Sequence, residues 1–255
     1  STQAGRKVGE AAGRNLKKVS LELGGKNSLI VLEDADLDLA LSNAAWGTYL
    51  HQGQICMATG RILVQRSIYQ QFVDGLASKA RKLSVGDPTR DDVALGPLIS
   101  ESQRDHVLAA VQAAQKAGAK LVTGGAFREL FFEPTVLCDV GLANPIFKDE
   151  VFGPVAVVVP FDSDAQAIEL ANDGEYGLSM GIISSNVARA MRIGEQLDAG
   201  LVHINDQTVD DEGINPFGGV GASGNRTSVG GAANWEEYTQ WQWMTIKQEA
   251  TRYPF

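Results

Sequence analysis

Short, continuously apolar runs alternate along this 255-residue chain with longer stretches whose apolar residues recur at helical spacing. Asn27–Leu32 is such a run and predicts a strand covered on both faces. Asp34, Asp36 and Asp38 then offer caps and favourable charge for a helix with Leu37, Ala40, Leu41, Ala44, Ala45 and Thr48 on one stripe. A strand follows over 61–65. Ser67 and Gln70 form a capping-box pattern ahead of a helix through Ile68, Phe72, Val73, Leu76, Ala80 and Leu83, which Gly86-Asp87-Pro88 stops. Residues 86–99 read as a loop. Ser100 with Gln103 opens another helix, ending at Gly118, before a strand near 119–123 and an extended stretch over 131–138. Val155–Val159 is a β-branched buried strand, and Ser163 with Gln166 caps a helix to about residue 172. A strand at 181–184, a helix over 186–197 and a strand at 201–204 complete the series. The fold class is therefore α/β, an open, mostly parallel twisted sheet with flanking helices and right-handed crossovers.

Both ends depart from this rhythm. Ser1 and Thr2 cap a helix over about 4–17 with Ala4, Val8, Ala11, Ala12 and Leu16 on its apolar face. Residues 205–233 are polar and rich in glycine, and so long a loop is usually functional; a surface crossing is the blander alternative. Thr239–Ile246 alternates like a strand, with Trp241 and Trp243 on one face, an odd thing to leave in water.

The net charge of −9, without a basic cluster, argues against nucleic acid or an anionic membrane as partner. The longest apolar candidate, Val151–Phe161, falls short of a membrane span and is broken by Gly153, Pro154 and Pro160. Two distant cysteines suit a reduced, cytoplasmic protein, and three isolated histidines offer no metal-ligand spacing.

Two stretches carry candidate chemistry. Gln52-Gly53-Gln54-Ile55-Cys56 presents a thiol where helix gives way to strand, and Gly53 lets the backbone turn close to a ligand. A cysteine there also reads as a small buried hydrophobe. Cys138, after Val136 and Leu137 in an extended stretch and without a glycine or base motif around it, reads as structural. Leu21-Glu22-Leu23-Gly24-Gly25-Lys26-Asn27 places a carboxylate between leucines, costly to bury without a job or a partner. Its alternative is a buried ion pair.

Taken together, Leu21–Asn27, Gly53–Cys56, Glu150-Val151-Phe152-Gly153-Pro154 and Pro216-Phe217-Gly218-Gly219 resemble, in order, four motifs of the aldehyde dehydrogenase superfamily. The resemblance spans essentially the whole chain. It implies Cys56 as nucleophile and Glu22 as the general base that activates water, with the Cys56 N–H as one oxyanion donor. Ser1, Leu23, Gly24, Glu150 and Phe152 are then cofactor-binding, the last two at the nicotinamide ribose. Leu50, Ile55, Met57 and Phe217 are candidate substrate-pocket residues. The cofactor is NAD or NADP, NAD favoured.

In domain terms, residues 1–24 read as the end of a dinucleotide-binding domain, 25–233 as the catalytic domain and 234–255 as an arm whose strand pairs with a neighbouring subunit in a homo-oligomer, dimer or tetramer. The absence of a starting methionine and of the glycine before Ser1 suggests a cut within a longer protein. The chain is accordingly expected to fold without oxidising aldehydes by itself, since the phosphate-cradling turn and the second oxyanion donor lie elsewhere. The stretches 51–57, 204–208 and 241–243 look like those of benzaldehyde, salicylaldehyde and vanillin dehydrogenases, so an aromatic aldehyde is the implied substrate. Gly221 departs from the family's frequent lysine. A cofactor-independent thiol esterase and a non-catalytic assembly module stay open as alternatives.

Overall fold

Asn27–Val31 is β1, and every residue of it is buried. Its neighbours along the chain divide between two cores, because successive strand residues face opposite sides. Leu29 and Val31 join one core, while Ile30 and the following Leu32 join the other. A computed structural model describes all 255 residues. Around β1 the elements run α1 (Thr2–Arg14), β1, α2 (Leu37–Tyr49), β2 (Thr59–Gln65), α3 (Tyr69–Lys82), α4 (Glu101–Lys116), β3 (Lys120–Thr123), β4 (Phe127–Arg128) and β5 (Phe131–Phe132). They continue as β6 (Thr135–Cys138), α5 (Pro145–Lys148), β7 (Val155–Phe161), α6 (Asp164–Asn172), β8 (Tyr176–Gly177), β9 (Ser179–Ile183), α7 (Val187–Gly194), β10 (Leu201–Ile204), β11 (Val220–Gly221) and α8 (Ala233–Tyr238).

Seven strands form one sheet in the order β10-β9-β1-β2-β7-β6-β3. All its neighbours pair in parallel except β3, which runs antiparallel to β6 at the edge. Helices α2 and α3 cover one face through Ala40, Leu41, Ala44, Phe72, Val73 and Leu76. The other face is covered by α4, α5, α6 and α7, with Val107, Val111, Ile146, Phe147, Leu170 and Ile193 inside. The open, mostly parallel α/β sheet expected from the alternation is the sheet found.

One buried cation ties the sheet together. Arg61 on β2 is 1% exposed and forms no ion pair. Its Nε donates to Ser28 Oγ at 3.1 Å, Nη1 to Asp173 O at 2.7 Å, and Nη2 to Lys26 O at 3.1 Å and Ala171 O at 2.9 Å. The guanidinium also lies 4.9 Å from the centre of the Phe147 ring. It thus caps the carbonyls at the end of α6 and anchors the start of β1 to them.

Several local expectations are corrected. Ser67 caps nothing: its hydroxyl donates to Glu33, Gln70 donates to Asp74, and α3 starts after a short 3-10 turn without a side-chain cap. Ser100 and Ser163 do cap α4 and α6, but Gln166 accepts from Asp162 N, one residue before the cap. The predicted apolar face of α1 is not the buried one. Val8 is 50% and Leu16 94% exposed, whereas Gly5 is buried so tightly on Leu23 that a Cβ would meet its Cδ2 at 2.6 Å. Close backbone approach, not apolar area, seats this helix. The loop over 205–233 holds β11, paired with β8, and a bridge between Phe217 and Val229. Residues 239–246 form no strand in this chain, and Trp241 and Trp243 are each 92% exposed. No helix is long and apolar enough to cross a membrane.

Arg61→Met keeps the aliphatic bulk but removes the donors of all four hydrogen bonds. Each unpaired buried acceptor costs about 1–3 kcal/mol, so the variant should lose about 3 kcal/mol or more of unfolding free energy. Urea denaturation followed by circular dichroism measures it, and a loss under about 1 kcal/mol would show that Arg61 is dispensable.

Candidate active site

Helix α2 ends at Tyr49, whose buried hydroxyl donates to Thr135 O at 3.1 Å. The chain then makes a tight turn over Leu50–Gly53 in which His51, Gln52 and Gly53 all take left-handed backbone angles, with φ of 48°, 58° and 67°. Two of the three are not glycine, so the turn stores strain. Gly53 has no substitute here, because a Cβ would meet Gly153 O at 2.2 Å. The turn is held from outside. Gln54 Oε1 accepts from Ile99 N at 2.9 Å, and Thr208 Oγ1 donates to Met57 O at 2.7 Å.

Cys56 emerges from this turn half-buried, against the start of β1. The Asn27 amide donates to Cys56 O and to Ala58 O, both at 2.8 Å, and its oxygen accepts from Ser179 N at 3.1 Å. Gly25 permits the approach, since a Cβ there would meet Cys56 O at 2.6 Å. Two residues ahead of Gly24, Glu22 is fixed by backbone pairing to the loop over 223–225: Leu23 N donates to Ser223 O at 2.9 Å and Leu21 N to Asn225 Oδ1 at 3.0 Å. The two stretches singled out from the sequence thus meet.

Their electrostatics follow from partial burial. Glu22 is exposed in this chain, yet the desolvation its surroundings impose pushes its carboxyl up to about 7. The Cys56 thiol is pushed up chiefly by burial. The N–H groups of Met57 and of Cys56 itself draw it down, while the carboxylates of Glu22 and Glu150 push it further up. Lys26 is 3% exposed and lowered to about 7 by burial, with Arg61 adding to the fall and Asp149 and Glu150 opposing it.

Glu150 lies across the two glycines. Its Oε1 accepts from Gly25 N at 2.9 Å, and a Cβ at Gly24 would strike Oε2 at 2.4 Å. Phe152 has φ of 53° and is 37% exposed; Gln103 Nε2 donates to the carbonyls of Val151 and Phe152 at 3.2 and 2.9 Å. Gly25, Lys26, Ile55, Glu150 and Phe152 line one narrow cleft.

The four expected pocket residues are not gathered in one place. Ile55 lines that cleft and Leu50 a separate cavity; Met57 is buried at 7% exposed, and Phe217 is half-buried in its bridge with Val229. Ser1 caps its own helix, its hydroxyl accepting from Ala4 N, and Leu23 packs under Gly5. Asn27, Gln54, Gln103 and Thr208 were given no role of their own in the site from the sequence. Asn27 had a signal, as the one amide heading an apolar strand; the others act across the fold and had none.

Alkylation by iodoacetamide with peptide mapping should label Cys56 well ahead of Cys138, which is 4% exposed and pushed up to about 11 by burial first and Asp139 second. Preferential labelling of Cys138 would refute the site. Replacing Glu22 by glutamine removes a charge that disfavours the thiolate. The pH profile of Cys56 labelling should therefore move to lower pH in Glu22→Gln; an unmoved profile would show that the two groups do not interact.

Comparison with known proteins agrees with this geometry. Residues 1–244 match the model of the aldehyde dehydrogenase family. Over its whole length the chain is 51% identical to a vanillin dehydrogenase of an Amycolatopsis species, covering 53% of that protein, and 52% identical to a benzaldehyde dehydrogenase [NAD(+)] of Pseudomonas putida, covering 52% of it. It therefore spans about half the length of the curated relatives it matches. The fold superimposes on a salicylaldehyde dehydrogenase from Pseudomonas putida G7 complexed with salicylaldehyde, with a TM-score of 0.95, 39% identity and coverage of 100% of this chain and 53% of that one. A betaine aldehyde dehydrogenase from Staphylococcus aureus in complex with NAD+ matches 93% of this chain and 48% of its own, at a TM-score of 0.89 and 36% identity. A match that runs through both the thiol turn and the glutamate strand admits one assignment: this chain belongs to the aldehyde dehydrogenase family.

Proposed function

We propose that this chain supplies the thiol and the base of an NAD(P)-dependent enzyme that oxidises an aromatic aldehyde to the carboxylic acid. The observation that supports the reading is the Asn27 clamp, which holds the Cys56 loop at the head of β1, five residues after Glu22, whose carboxyl titrates near neutrality. Cys56 Sγ attacks the flat carbonyl and forms a thiohemiacetal. The Cys56 and Met57 N–H groups favour a negative sulfur, and the Cys56 N–H is the proposed donor to the oxyanion of the adduct. Once hydride has left, Cys56 holds the acyl group as a thioester. Glu22 then takes a proton from water, and the hydroxide releases the acid.

The chain's own residues fit the nicotinamide end of a dinucleotide. Glu150 Oε1 is occupied by Gly25 N, but Oε2 accepts no hydrogen bond from the chain and faces a position kept free of side chains at Gly24. A carboxylate oxygen so left suits a ribose hydroxyl, with Phe152 exposed beside it and Leu23 and Gly24 toward the ring. When bound, the nicotinamide supplies the hydride acceptor. NAD is favoured over NADP because the benzaldehyde relative is named for NAD(+) and the betaine aldehyde neighbour is in complex with NAD+.

The aromatic substrate class rests on the relatives named for vanillin, benzaldehyde and salicylaldehyde. Ile55 and Phe217 are the apolar side chains proposed nearest the reacting carbon. Residues 234–255 would join a second copy, since Trp241, Trp243 and Ile246 are 92%, 92% and 86% exposed and find no cover within the chain. Two free thiols suit a reducing compartment, the cytoplasm.

An activated ester tests the two residues without any cofactor. With p-nitrophenyl benzoate, wild type and Glu22→Gln should both show an acylation burst, and the variant's steady rate should fall about 10²-fold; equal steady rates would mean that another group activates the water. In the enzyme that contains this chain, kcat/KM for benzaldehyde with NAD should exceed that for acetaldehyde. The reverse order would refute the aromatic assignment.

A further inference from the structure

We propose that Thr208 is a positioning residue for the thiol: its buried hydroxyl, held in turn by Thr59, fixes the backbone that carries Cys56. The inference rests on the reading of Cys56 as the nucleophile and adds a residue to that site.

Cys56 and Met57 are the two central residues of a turn that Ala58 N closes on Ile55 O at 3.0 Å. Side chains hold three successive carbonyls of this turn. Asn27 donates to those of Cys56 and Ala58, and Thr208 Oγ1 donates to the one between them, Met57 O, at 2.7 Å. The rigid peptide that joins Cys56 to Met57 carries the Met57 N–H, and it can turn over only if the backbone angles on both sides change together. With its own carbonyl on Asn27 and the next on Thr208, that rotation is closed.

The direction of the hydroxyl contacts follows from counting protons. A carbonyl only accepts, so the single proton of Thr208 is committed to Met57 O. Thr59 is therefore the donor in the 2.7 Å contact between Thr59 Oγ1 and Thr208 Oγ1. Ser179 Oγ donates to Thr208 O at 2.7 Å and ties the backbone of Thr208 to β9. These hydroxyls are shut off from solvent: Thr59 is 1% exposed, and Thr208 and Ser179 are 0%. Gly47 closes the α2 side, where a Cβ would meet Thr59 Oγ1 at 2.4 Å. A buried relay in which each proton has an acceptor holds one geometry.

Thr208→Val keeps the shape of the side chain and removes its proton. The N–H groups of Met57 and Cys56, which draw the thiol down, then lose their fixed aim, while Glu22 and Glu150, which push it up, are untouched. The pH profile of Cys56 labelling by iodoacetamide should move to higher pH in Thr208→Val, by about half a pH unit or more, the size of one modest hydrogen bond. Thr208→Ser, which restores the hydroxyl, should return the profile to that of wild type, and Thr59→Val should move it the same way by less. A change that only loosened the packing would alter the limiting rate of labelling and leave the midpoint in place. Circular dichroism checks the fold. If Thr208→Val folds poorly, the Thr59→Val/Thr208→Val double variant, from which both hydroxyls are gone, carries the same comparison. A wild-type midpoint in the folded valine variants, or a serine variant displaced as far as valine, would overturn the positioning role alone. Labelling of Cys138 ahead of Cys56 in wild type would overturn the reading of Cys56 itself, and the proposal with it.

Discussion

One buried amide ties the thiol loop to the head of β1. Asn27 uses both sides of its carboxamide, giving two hydrogen bonds to the thiol loop and taking one from β9. An aspartate of the same shape could donate to neither carbonyl and would set its charge against both. Because Asn27 heads β1, which is paired on both edges, the loop is referenced to the interior of the sheet. Gly25 matters for the same reason: without its hydrogen side chain, Cys56 O could not come close enough to be clamped.

Around that clamp the structure divides strain from anchorage. The turn before Cys56 carries three successive left-handed residues, which a free chain would relax. It persists because Ile99, through the side chain of Gln54, and Thr208 and Asn27 hold it from three separate segments. Behind it, Arg61 satisfies the carbonyls where α6 ends and where β1 begins. A guanidinium in this place costs desolvation, and it is tolerated because four oxygens and an aromatic face surround it. Rigid surroundings of this type let a strained loop present a nucleophile in one orientation.

Much of this was legible in the chain. The alternation of apolar runs with helical periods predicts the parallel sheet, because short-range patterning and burial on two faces are the same fact read twice. Cys56, Glu22 and Glu150 were singled out by their motifs, and the fold brings their stretches together. What escaped was set by distant partners. The seat of α1 could not be read, because it depends on Leu23 lying under Gly5, and a glycine face has no apolar signal. Ser67 had the spacing of a cap, but Glu33 on another segment claimed its hydroxyl. The alternation over 239–246 is real, yet alternation makes a strand only where a partner strand offers its backbone, and none in this chain does. Leu50 and Ile55 line different cavities and Met57 is buried, because neighbours in a tight turn face different sides.

The electrostatic coupling of Glu22 and Cys56 also orders their use. Each group is pushed toward its neutral form by partial burial, and the carboxylate adds to the push on the thiol. Two anions side by side are thus the least favoured state of the pair. The carboxyl titrates near 7 and the thiol above its ordinary value, so the carboxyl ionises first as the pH rises and the thiol is the neutral member of the pair near neutrality. A carboxyl near 7 is divided between its acid and base forms at neutral pH, the condition that the general base of the proposed reaction needs.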